Sequence, residues 1–174
     1  MVWRQKNTEM NPKHLRPTVK HGGGGVLVWG CMSASGVGNL HFIDGIMDHK
    51  MYIDILKTNL HPSAAKMDLE GNFIFQQDND PKHTALNTKL WLLHNVPKQL
   101  NTPPQSPDIN PIEHLWQLLD TKIRKRDITS KSSLKTALQE EWALLSAEET
   151  RKLVESMPRR LLAVIQAKGN PTKY

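Results

Sequence analysis

Two short runs of β-branched and aromatic residues constrain the fold of this 174-residue chain more than any other feature. Residues 26–32 and 72–78 each suit one buried strand, and a helical pattern over 48–60 separates them. A hairpin turn at 35–38 and a returning strand at 39–43 follow the first run. The predicted order is hairpin, helix, strand, helix, strand and then further helices. Strands that alternate with helices indicate an α/β fold whose sheet is partly parallel.

Two of the predicted helices carry testable details. The helix over 48–60 is expected to end at Pro62, because proline interrupts helical hydrogen bonding. The helix over 84–94 has leucines at i, i+4 and i+7, namely Leu86, Leu90 and Leu93. Residues 96–100 predict a short strand after it.

The second half of the chain is predicted to be helical. Asn110 can cap a helix in which Pro111 occupies the first position and Glu113 the third. Further helices are predicted over 132–145 and 146–167, the second interrupted at Pro158. Ser146 and Glu149 match a capping box at the start of the second helix.

Charge is distributed unevenly along the chain, whose net charge is +6. Residues 1–21 carry +4 and residues 121–174 carry +6, whereas residues 22–120 carry −4. The basic flanks would attract a polyanion, and the acidic middle would repel it unless metal cations bind there. No apolar run approaches the ~18 residues of a transmembrane helix. The single cysteine, Cys31, excludes an internal disulfide and is expected to be a core thiol rather than a nucleophile.

Two carboxylates stand where catalytic groups are often found. Asp78 follows a buried strand, and α/β sheets place functional groups at such strand ends. Glu113 begins a helix after a long loop bounded by prolines. Simpler interpretations exist, since Asp favours turns and a Glu at the third helical position stabilises a helix start. Together the two could form part of a two-metal site for phosphodiester chemistry, because Mg²⁺ and Mn²⁺ take several oxygen ligands.

Other motifs are weaker. Asp78, Asp80 and His83 could bind a metal on their own, although turn and capping roles explain them equally well. The sequence contains neither a phosphate-binding P-loop nor an H-E-x-x-H zinc motif.

Three longer stretches carry a family resemblance. They read VWGCMSASG at 28–36, FQQDNDPKHT at 75–84 and SPDINPIEHLW at 106–116, and SMPRR follows at 156–160. Together they resemble the Tc/mariner superfamily of DNA transposases over nearly the whole chain. The resemblance implies a ribonuclease-H-like α/β domain, with a mixed sheet flanked by helices and further helices at the C-terminus. It also implies that Mg²⁺ or Mn²⁺ ions serve to cut and join transposon ends.

The resemblance assigns roles within the family's triad of Asp, Asp and Glu. Asp78 matches the second acid and Glu113 the third, with 34 residues between them, and both would hold the metal ions. The first acid is expected on a central strand upstream of the segment that matches residues 1–4, so the chain is expected to be truncated at its N-terminus. Later acids come too late to replace it: Asp44, Asp48 and Asp54. Without that strand, two sheet edges are expected to be unpaired and the chain to be inactive by itself.

The resemblance also implies an organisation and partners. Residues 1–25 are expected to form a basic arm like the loop that contacts the partner subunit, residues 26–126 a partial catalytic domain, and residues 127–174 its basic C-terminal helices. Double-stranded DNA, a homodimer and a nuclear location are implied, and no membrane is expected. Candidates for phosphate contacts are basic: Lys122, Arg124, Lys125, Arg126, Arg159 and Arg160. A solvated helix end explains such cations equally well.

The expected function is that of the C-terminal part of a Tc/mariner-like transposase. Its ancestral activity would be metal-dependent DNA cleavage and strand transfer in cut-and-paste transposition. Two alternatives remain open: a non-catalytic DNA-binding or dimerising protein derived from a transposon, and a non-functional remnant. Presence or absence of the first acid separates the enzyme from these alternatives.

Overall fold

The computed structural model of the protein describes residues 25–103, 106–168 and 172. The predicted basic arm therefore lies outside the described residues except for Gly25. Four strands occur in those ranges: β1 (Leu27–Ser33), β2 (Gly36–Ile43), β3 (Ile74–Gln76) and β4 (Lys98–Leu100). Seven α-helices accompany them: α1 (His49–Lys66), α2 (Pro81–Thr84), α3 (Leu86–Asn95), α4 (Pro111–Ile123), α5 (Lys131–Ala143), α6 (Ala147–Glu155) and α7 (Met157–Gln166). A short 3₁₀ helix at Pro107–Ile109 precedes α4.

The predicted hairpin is formed by β1 and β2, which pair antiparallel. Leu27 lies opposite Ile43, and Ser33 lies opposite Gly36. Gly36 has a φ of +139°, a conformation that is open to glycine and strained for other residues. The turn is therefore tighter than predicted, and β2 begins within the range 35–38.

The second sheet consists of β3 and β4, which pair in parallel. Ile74 lies opposite Lys98, and Gln76 lies opposite Leu100. Both strands were predicted, but β3 has three residues instead of the seven over 72–78. In the described ranges β4 is its one strand partner, so pairing on one side alone defines its length. The helices α2 and α3 form the crossover that parallel strands require.

Two hydrophobic cores lie on the two faces of the hairpin, because successive side chains of a strand point to opposite sides. On one face, Trp29 and Ile43 belong to a core that surrounds the fully buried Leu56 of α1. On the other face, Val37 packs with α4, α5 and α6 around Leu115. The C-terminal helices after residue 126 thus share a core with the hairpin.

A cleft of about 750 Å³ lies between the two sheets and is lined by residues of both β1 and β3. Its walls are largely apolar and include Trp29, Phe75 and Trp116. Among the described residues, β1 is hydrogen-bonded to β2 alone and β3 to β4 alone. Each of these two strands therefore has one edge without a strand partner in the described part of the chain.

Pro62 does not end α1, so that prediction is wrong. The helix begins after the cap residue Asp48 and runs for 18 residues, with the proline inside it. Ser63 and Ala64 follow the proline and are buried. The Asn39 N–H donates a hydrogen bond to the Ser63 hydroxyl oxygen at 2.9 Å. These contacts with β2 stabilise the last turn and outweigh the hydrogen bond that proline cannot donate.

The helix predicted over 84–94 forms two helices, α2 and α3, and α3 buries a different face from the predicted one. Ala85 has the non-helical dihedral angles φ −55° and ψ 145° and separates α2 from α3. The predicted apolar stripe is exposed to 71%, 48% and 74% at Leu86, Leu90 and Leu93. Thr88 and Leu92 are buried instead, and the Thr88 hydroxyl donates to the Lys82 carbonyl at 2.8 Å. This hydrogen bond between the two short helices orients α3, which the leucine spacing alone could not reveal.

The expectations for two helix starts and for Cys31 are confirmed. The predicted starts of α4 and α6 are correct, and Ser146 and Glu149 form a capping box. Cys31 packs against the first core, and burial raises the pKa of its thiol. None of the helices in the described ranges combines the length and hydrophobicity needed to span a membrane.

Gly38 is where β2 packs most tightly on its surroundings. A Cβ there would lie 2.5 Å from both Cys31 Sγ and Ser63 Cβ. We expect Gly38→Ala to lower the free energy of unfolding by about 3 kcal/mol, at the upper end of overpacking costs. Urea denaturation measures this, and Gly25→Ala is the control because a Cβ there meets no atom of the described residues within 4 Å. Equal stability of Gly38→Ala and wild type would contradict this packing.

Candidate active site

Asp78 lies just beyond the carboxyl end of β3. Its side chain is 55% exposed. Its Oδ1 accepts a hydrogen bond from the Asp80 N–H at 3.1 Å and lies 2.5 Å from Nδ1 of His83. The turn after β3 therefore holds this carboxylate at the strand end, the position where α/β sheets carry functional groups.

Glu113 lies in the first turn of α4. Pro111 occupies the first helical position as predicted, but the Asn110 side chain makes no capping hydrogen bond. Capping boxes form in α5 and α6, and the described contacts of α4 contain none. The simpler interpretation, in which Glu113 stabilises the helix start, is therefore not supported by capping-box hydrogen bonds.

Several hydrogen bonds join the end of β3 to the loop that precedes α4. They include Gln76 Nε2 to the Ile109 carbonyl (3.0 Å), Asn79 Nδ2 to the Thr102 carbonyl (2.9 Å) and the Thr102 hydroxyl to the Gln77 carbonyl (3.2 Å). Each satisfies a polar group of the loop or the strand end. Together they hold Asp78 and Glu113 near each other across 34 intervening residues.

Asp78 and Glu113 share the same space. Both line the cleft between the sheets, and both line an adjoining cleft of about 440 Å³. Burial and the neighbouring Asp78 carboxylate raise the pKa of Glu113. Two mutually repelling carboxylates favour a bound cation, and their oxygens are ligands that Mg²⁺ and Mn²⁺ prefer. The donor set fits such an ion, although the described residues contain no group of three candidate metal ligands.

Asp80 is committed to the turn, which argues against a metal site built from Asp78, Asp80 and His83 alone. Its carboxylate caps α2 by accepting from the Lys82 N–H at 3.0 Å and from Lys82 Nζ at 2.8 Å. Burial by itself would raise the pKa of Asp80, but the hydrogen bonds from Lys82 outweigh it and lower the pKa.

The three earlier acids lie elsewhere, as the sequence predicts. Asp44 pairs with Lys135 at 3.2 Å, Asp54 pairs with Lys57 at 2.8 Å, and Asp48 caps α1. None of the three lines either cleft.

Arg160 does not fit the prediction that it contacts DNA phosphates, because its side chain is only 2% exposed. Its guanidinium donates to the Ser156 hydroxyl at 2.7 Å and to the Asp108 carbonyl at 3.3 Å, and it lies 2.9 Å from Nδ1 of His114. His114 adjoins Glu113 in the chain. Arg160 therefore braces the start of α4 from α7 instead of facing a ligand at the surface.

The other five candidates for phosphate contacts lie at or near the surface. Three of them form ion pairs: Lys122 with Glu149 (3.0 Å), Arg124 with Asp120 (2.7 Å), and Arg126 with Glu140 and Glu141. Lys125 and Arg159 are exposed and form no ion pair with a described residue. Since exposed ion pairs contribute little free energy, a phosphate could replace the carboxylate partner.

Two contributors to the site were not predicted as such. Tyr52 of α1 packs against His83 with ring centroids 4.1 Å apart, and its hydroxyl donates to Gln77 Oε1 at 2.7 Å. Arg160 was assigned to the surface. In the sequence, only the polar cluster at 76–80 after an apolar strand pointed to this site. Local patterns do not link residues that are 25 or more positions apart, so they could not reveal the roles of Tyr52 and Arg160.

The chain is similar to known transposases in sequence. Residues 3–135 match the family described as "DDE superfamily endonuclease". The chain is 42% identical over 173 residues to the Tc1 transposase of Caenorhabditis elegans, covering 99% of this chain and 63% of that protein. It is 44% identical over 163 residues to the Tcb1 transposase of Caenorhabditis briggsae, covering 94% and 59%. The chain thus spans about three fifths of the length of these relatives.

The structure is similar to solved structures of the Mos1 transposase. The Mos1 catalytic domain with raltegravir and magnesium matches with a TM-score of 0.76 at 22% identity, covering 85% of this chain and 77% of that chain. A pre-cleavage Mos1 transpososome matches with a TM-score of 0.73 at 21% identity, covering 85% and 45%. These likenesses confirm the ribonuclease-H-like α/β fold that the sequence resemblance implied.

Repulsion at the site predicts that Glu113→Gln stabilises the fold. Because the pKa of Glu113 is raised above its ordinary value of 4.5, ionisation of this group costs the folded state stability as the pH rises through that pKa. We expect the variant to melt at a higher temperature than wild type at pH 7. The difference should vanish below pH 4.5, where Glu113 of wild type is protonated and therefore as neutral as the glutamine of the variant. Thermal melts at several pH values measure it.

Glu148→Gln is the matched control, because a hydrogen bond from Lys152 lowers the pKa of Glu148. That pairing stabilises the fold above pH 4.5 and is lost in acid, so this variant should melt no higher than wild type at pH 7. If Glu113→Gln lowers the melting temperature at pH 7, the two acids do not repel each other as described.

Arg160 and Arg159 are neighbours in α7 with opposite surroundings. Arg160→Met should lower the free energy of unfolding by about 2–3 kcal/mol, because buried acceptors lose their donor. Arg159→Met changes an exposed side chain and should alter stability by less than about 0.5 kcal/mol. Urea denaturation compares the two, and equal stabilities would show that Arg160 does not brace α4.

Proposed function

Because the chain belongs to the DDE superfamily of endonucleases, of the Tc/mariner type, we propose that it forms part of the catalytic domain of a transposase. The proposed reaction is metal-dependent cleavage of a DNA phosphodiester and transfer of the strand end. The observation that carries the proposal is that Asp78 and Glu113 line the same two clefts although 34 residues separate them. The family resemblance matches these two residues to the second and third catalytic acids.

Asp78 and Glu113 would hold the divalent cations, Mg²⁺ or Mn²⁺. The solved Mos1 catalytic domain, which shares this fold, has been determined with either metal. When bound, two such ions activate the attacking and leaving oxygens of a phosphodiester exchange. The part of this chain is to fix the carboxylates: Gln76 ties the strand end to the loop before α4, and Arg160 braces α4 from behind.

We further propose that the cleft between the sheets receives an additional β-strand, which carries the first acid. Three features support this. β1 and β3 each have an edge without a strand partner among the described residues, the cleft walls are apolar, and Asp78 and Glu113 lie at the cleft. A strand there would pair with β1 and β3 at once, join the two small sheets into one, and supply the third carboxylate.

DNA is the proposed partner, with a homodimer as the working assembly and the nucleus as its location. Solved Mos1 structures include a paired-end complex and a strand transfer complex, which suggests double-stranded DNA as the partner of this fold. In this chain, the basic surface over 121–168 supports the same role through Lys125 and Arg159, which are exposed.

A non-catalytic DNA-binding protein is the second candidate function. It is favoured by one observation: since Asp80 caps α2, the described residues offer only Asp78 and Glu113 as uncommitted carboxylates at the site, and they contain no group of three metal ligands. The two functions share the basic surface and differ in whether a third acid completes the site.

DNA binding should depend strongly on salt. Each phosphate contact contributes about −0.9 to the slope of log K against log[salt]. Lys125→Ala and Arg159→Ala should each reduce the slope by about that amount, whereas the control Lys57→Ala, whose side chain pairs with Asp54, should leave it unchanged. Fluorescence anisotropy with a labelled duplex at several salt concentrations measures the slope. A wild-type slope near zero would contradict the proposed DNA surface.

The 174-residue chain should not nick DNA in Mn²⁺, because the two uncommitted carboxylates that its described residues offer leave the two-metal site incomplete. A version extended at its N-terminus by the segment that precedes the matched region in the Tc1 relative should nick a duplex with matching terminal repeats. The matched control is the extended version with Glu113→Ala, which should be inactive. Gel analysis of end-labelled DNA measures nicking. Nicking by the chain alone that is lost in Glu113→Ala would show that a complete site already exists.

A further inference from the structure

The Asp78 carboxylate is held unequally by its surroundings. Both of its hydrogen-bond contacts with the described residues are made by Oδ1, one with the Asp80 N–H at 3.1 Å and one with Nδ1 of His83 at 2.5 Å. Oδ2 makes no hydrogen bond with a described residue. One oxygen is thus tied to the protein, and the other is left to accept a ligand from the cleft.

The surroundings of the imidazole indicate which of its nitrogens carries the proton. The side chain of His83 is only 16% exposed, and its Nε2 is buried without a hydrogen-bond partner among the described residues. A proton on Nε2 would leave a buried donor unsatisfied and would set the Nδ1 lone pair against a carboxylate oxygen. A proton on Nδ1 leaves Nε2 as a buried acceptor without a partner among the described residues, but it removes the repulsion at Oδ1 and gives the proton a carboxylate acceptor. This tautomer is therefore the favoured one, and the ring donates its hydrogen bond to Asp78.

The ring itself is held from two sides. Tyr52 packs against it in a tilted arrangement, with centroids 4.1 Å apart and an interplanar angle of 32°. Gln77 donates from Nε2 to the His83 carbonyl at 3.0 Å and accepts from the Tyr52 hydroxyl at 2.7 Å. A ring with its face and its backbone both fixed can hold a carboxylate in one orientation.

We propose that His83 is a positioning residue for Asp78: by donating from Nδ1 to Oδ1 it fixes the carboxylate so that Oδ2 is presented to a divalent cation. This inference rests on the proposed metal-dependent function. Histidines and carboxylates that orient one another around a metal raise its affinity, and loss of such a partner typically lowers the affinity 10–100-fold.

The side-chain length of two substitutions separates positioning from mere packing. Asparagine carries an amide N–H at about the distance of Nδ1 from the backbone, and glutamine carries one at about the distance of Nε2. His83→Asn should therefore keep the contact with Oδ1, and His83→Gln should lose it. His94→Ala, at the exposed end of α3, is the control that removes an imidazole remote from the site.

The first measurement needs no metal. Long-range ¹H–¹⁵N spectra of the 174-residue chain, with labelled histidine, should show the neutral His83 ring protonated at Nδ1, and Asp78→Asn should change its signals. A ring protonated at Nε2 would overturn the proposal.

The second measurement is Mn²⁺ binding, followed by the relaxation of water protons. We expect His83→Gln to bind Mn²⁺ about 10-fold or more weakly than wild type, and His83→Asn and His94→Ala to stay within about threefold. Equal losses in His83→Asn and His83→Gln, with equally lowered melting temperatures, would reduce His83 to a packing residue and overturn the proposal.

The two measurements also separate this proposal from the proposed function. If wild type and Asp78→Asn bind Mn²⁺ equally, the metal site of the proposed function fails, whereas the ring spectra still decide whether His83 holds Asp78.

Discussion

Backbone N–H and C=O groups that leave water must find partners, and this constraint acts most strongly on β1 and β3. Each strand has one strand partner among the described residues, and the two face a largely apolar cleft of about 750 Å³. An open apolar cleft between two strand edges is unfavourable in water, since it exposes both hydrophobic surface and unpaired polar groups. The proposed additional strand removes both penalties at once. Without that strand β3 is short, because pairing on two sides would extend it.

The same cleft organises the chemistry. Asp78 follows β3 and Glu113 begins α4, and Gln76 joins these elements through the Ile109 carbonyl. This arrangement is unfavourable for the ionised form of Glu113: its burial and the neighbouring Asp78 carboxylate raise its pKa. A cation would relieve that repulsion, so the two neighbouring carboxylates favour binding of the metal that the proposed reaction requires.

Local pattern predicted most of the elements and marked Asp78 and Glu113 as candidates, because strand runs, caps and the polar cluster after β3 are signals that lie within a few residues of each other. The catalytic roles of the two acids came from the family resemblance instead. It failed where distant contacts decide. Pro62 remains inside α1 because Ser63 packs on β2, and the leucine stripe of α3 is exposed because Thr88 bonds to the Lys82 carbonyl. Arg160 resembles a surface cation in the sequence, but the folded chain buries it against His114. The orientation of Asp78 by His83 likewise depends on Tyr52, which lies 31 positions earlier in the chain.

Amide hydrogen exchange of β1 and β3 tests the central claim most directly, namely that the cleft receives a strand. The comparison is between the 174-residue chain and the version extended by the segment of the Tc1 relative, with β2 as the internal reference because its pairing with β1 is the same in both. The account predicts that amides of Leu27–Ser33 and Ile74–Gln76 exchange much more slowly in the extended protein, while those of β2 change little. Equal exchange of β1 and β3 in the two proteins would contradict the account, because it would show that no strand joins the two sheets.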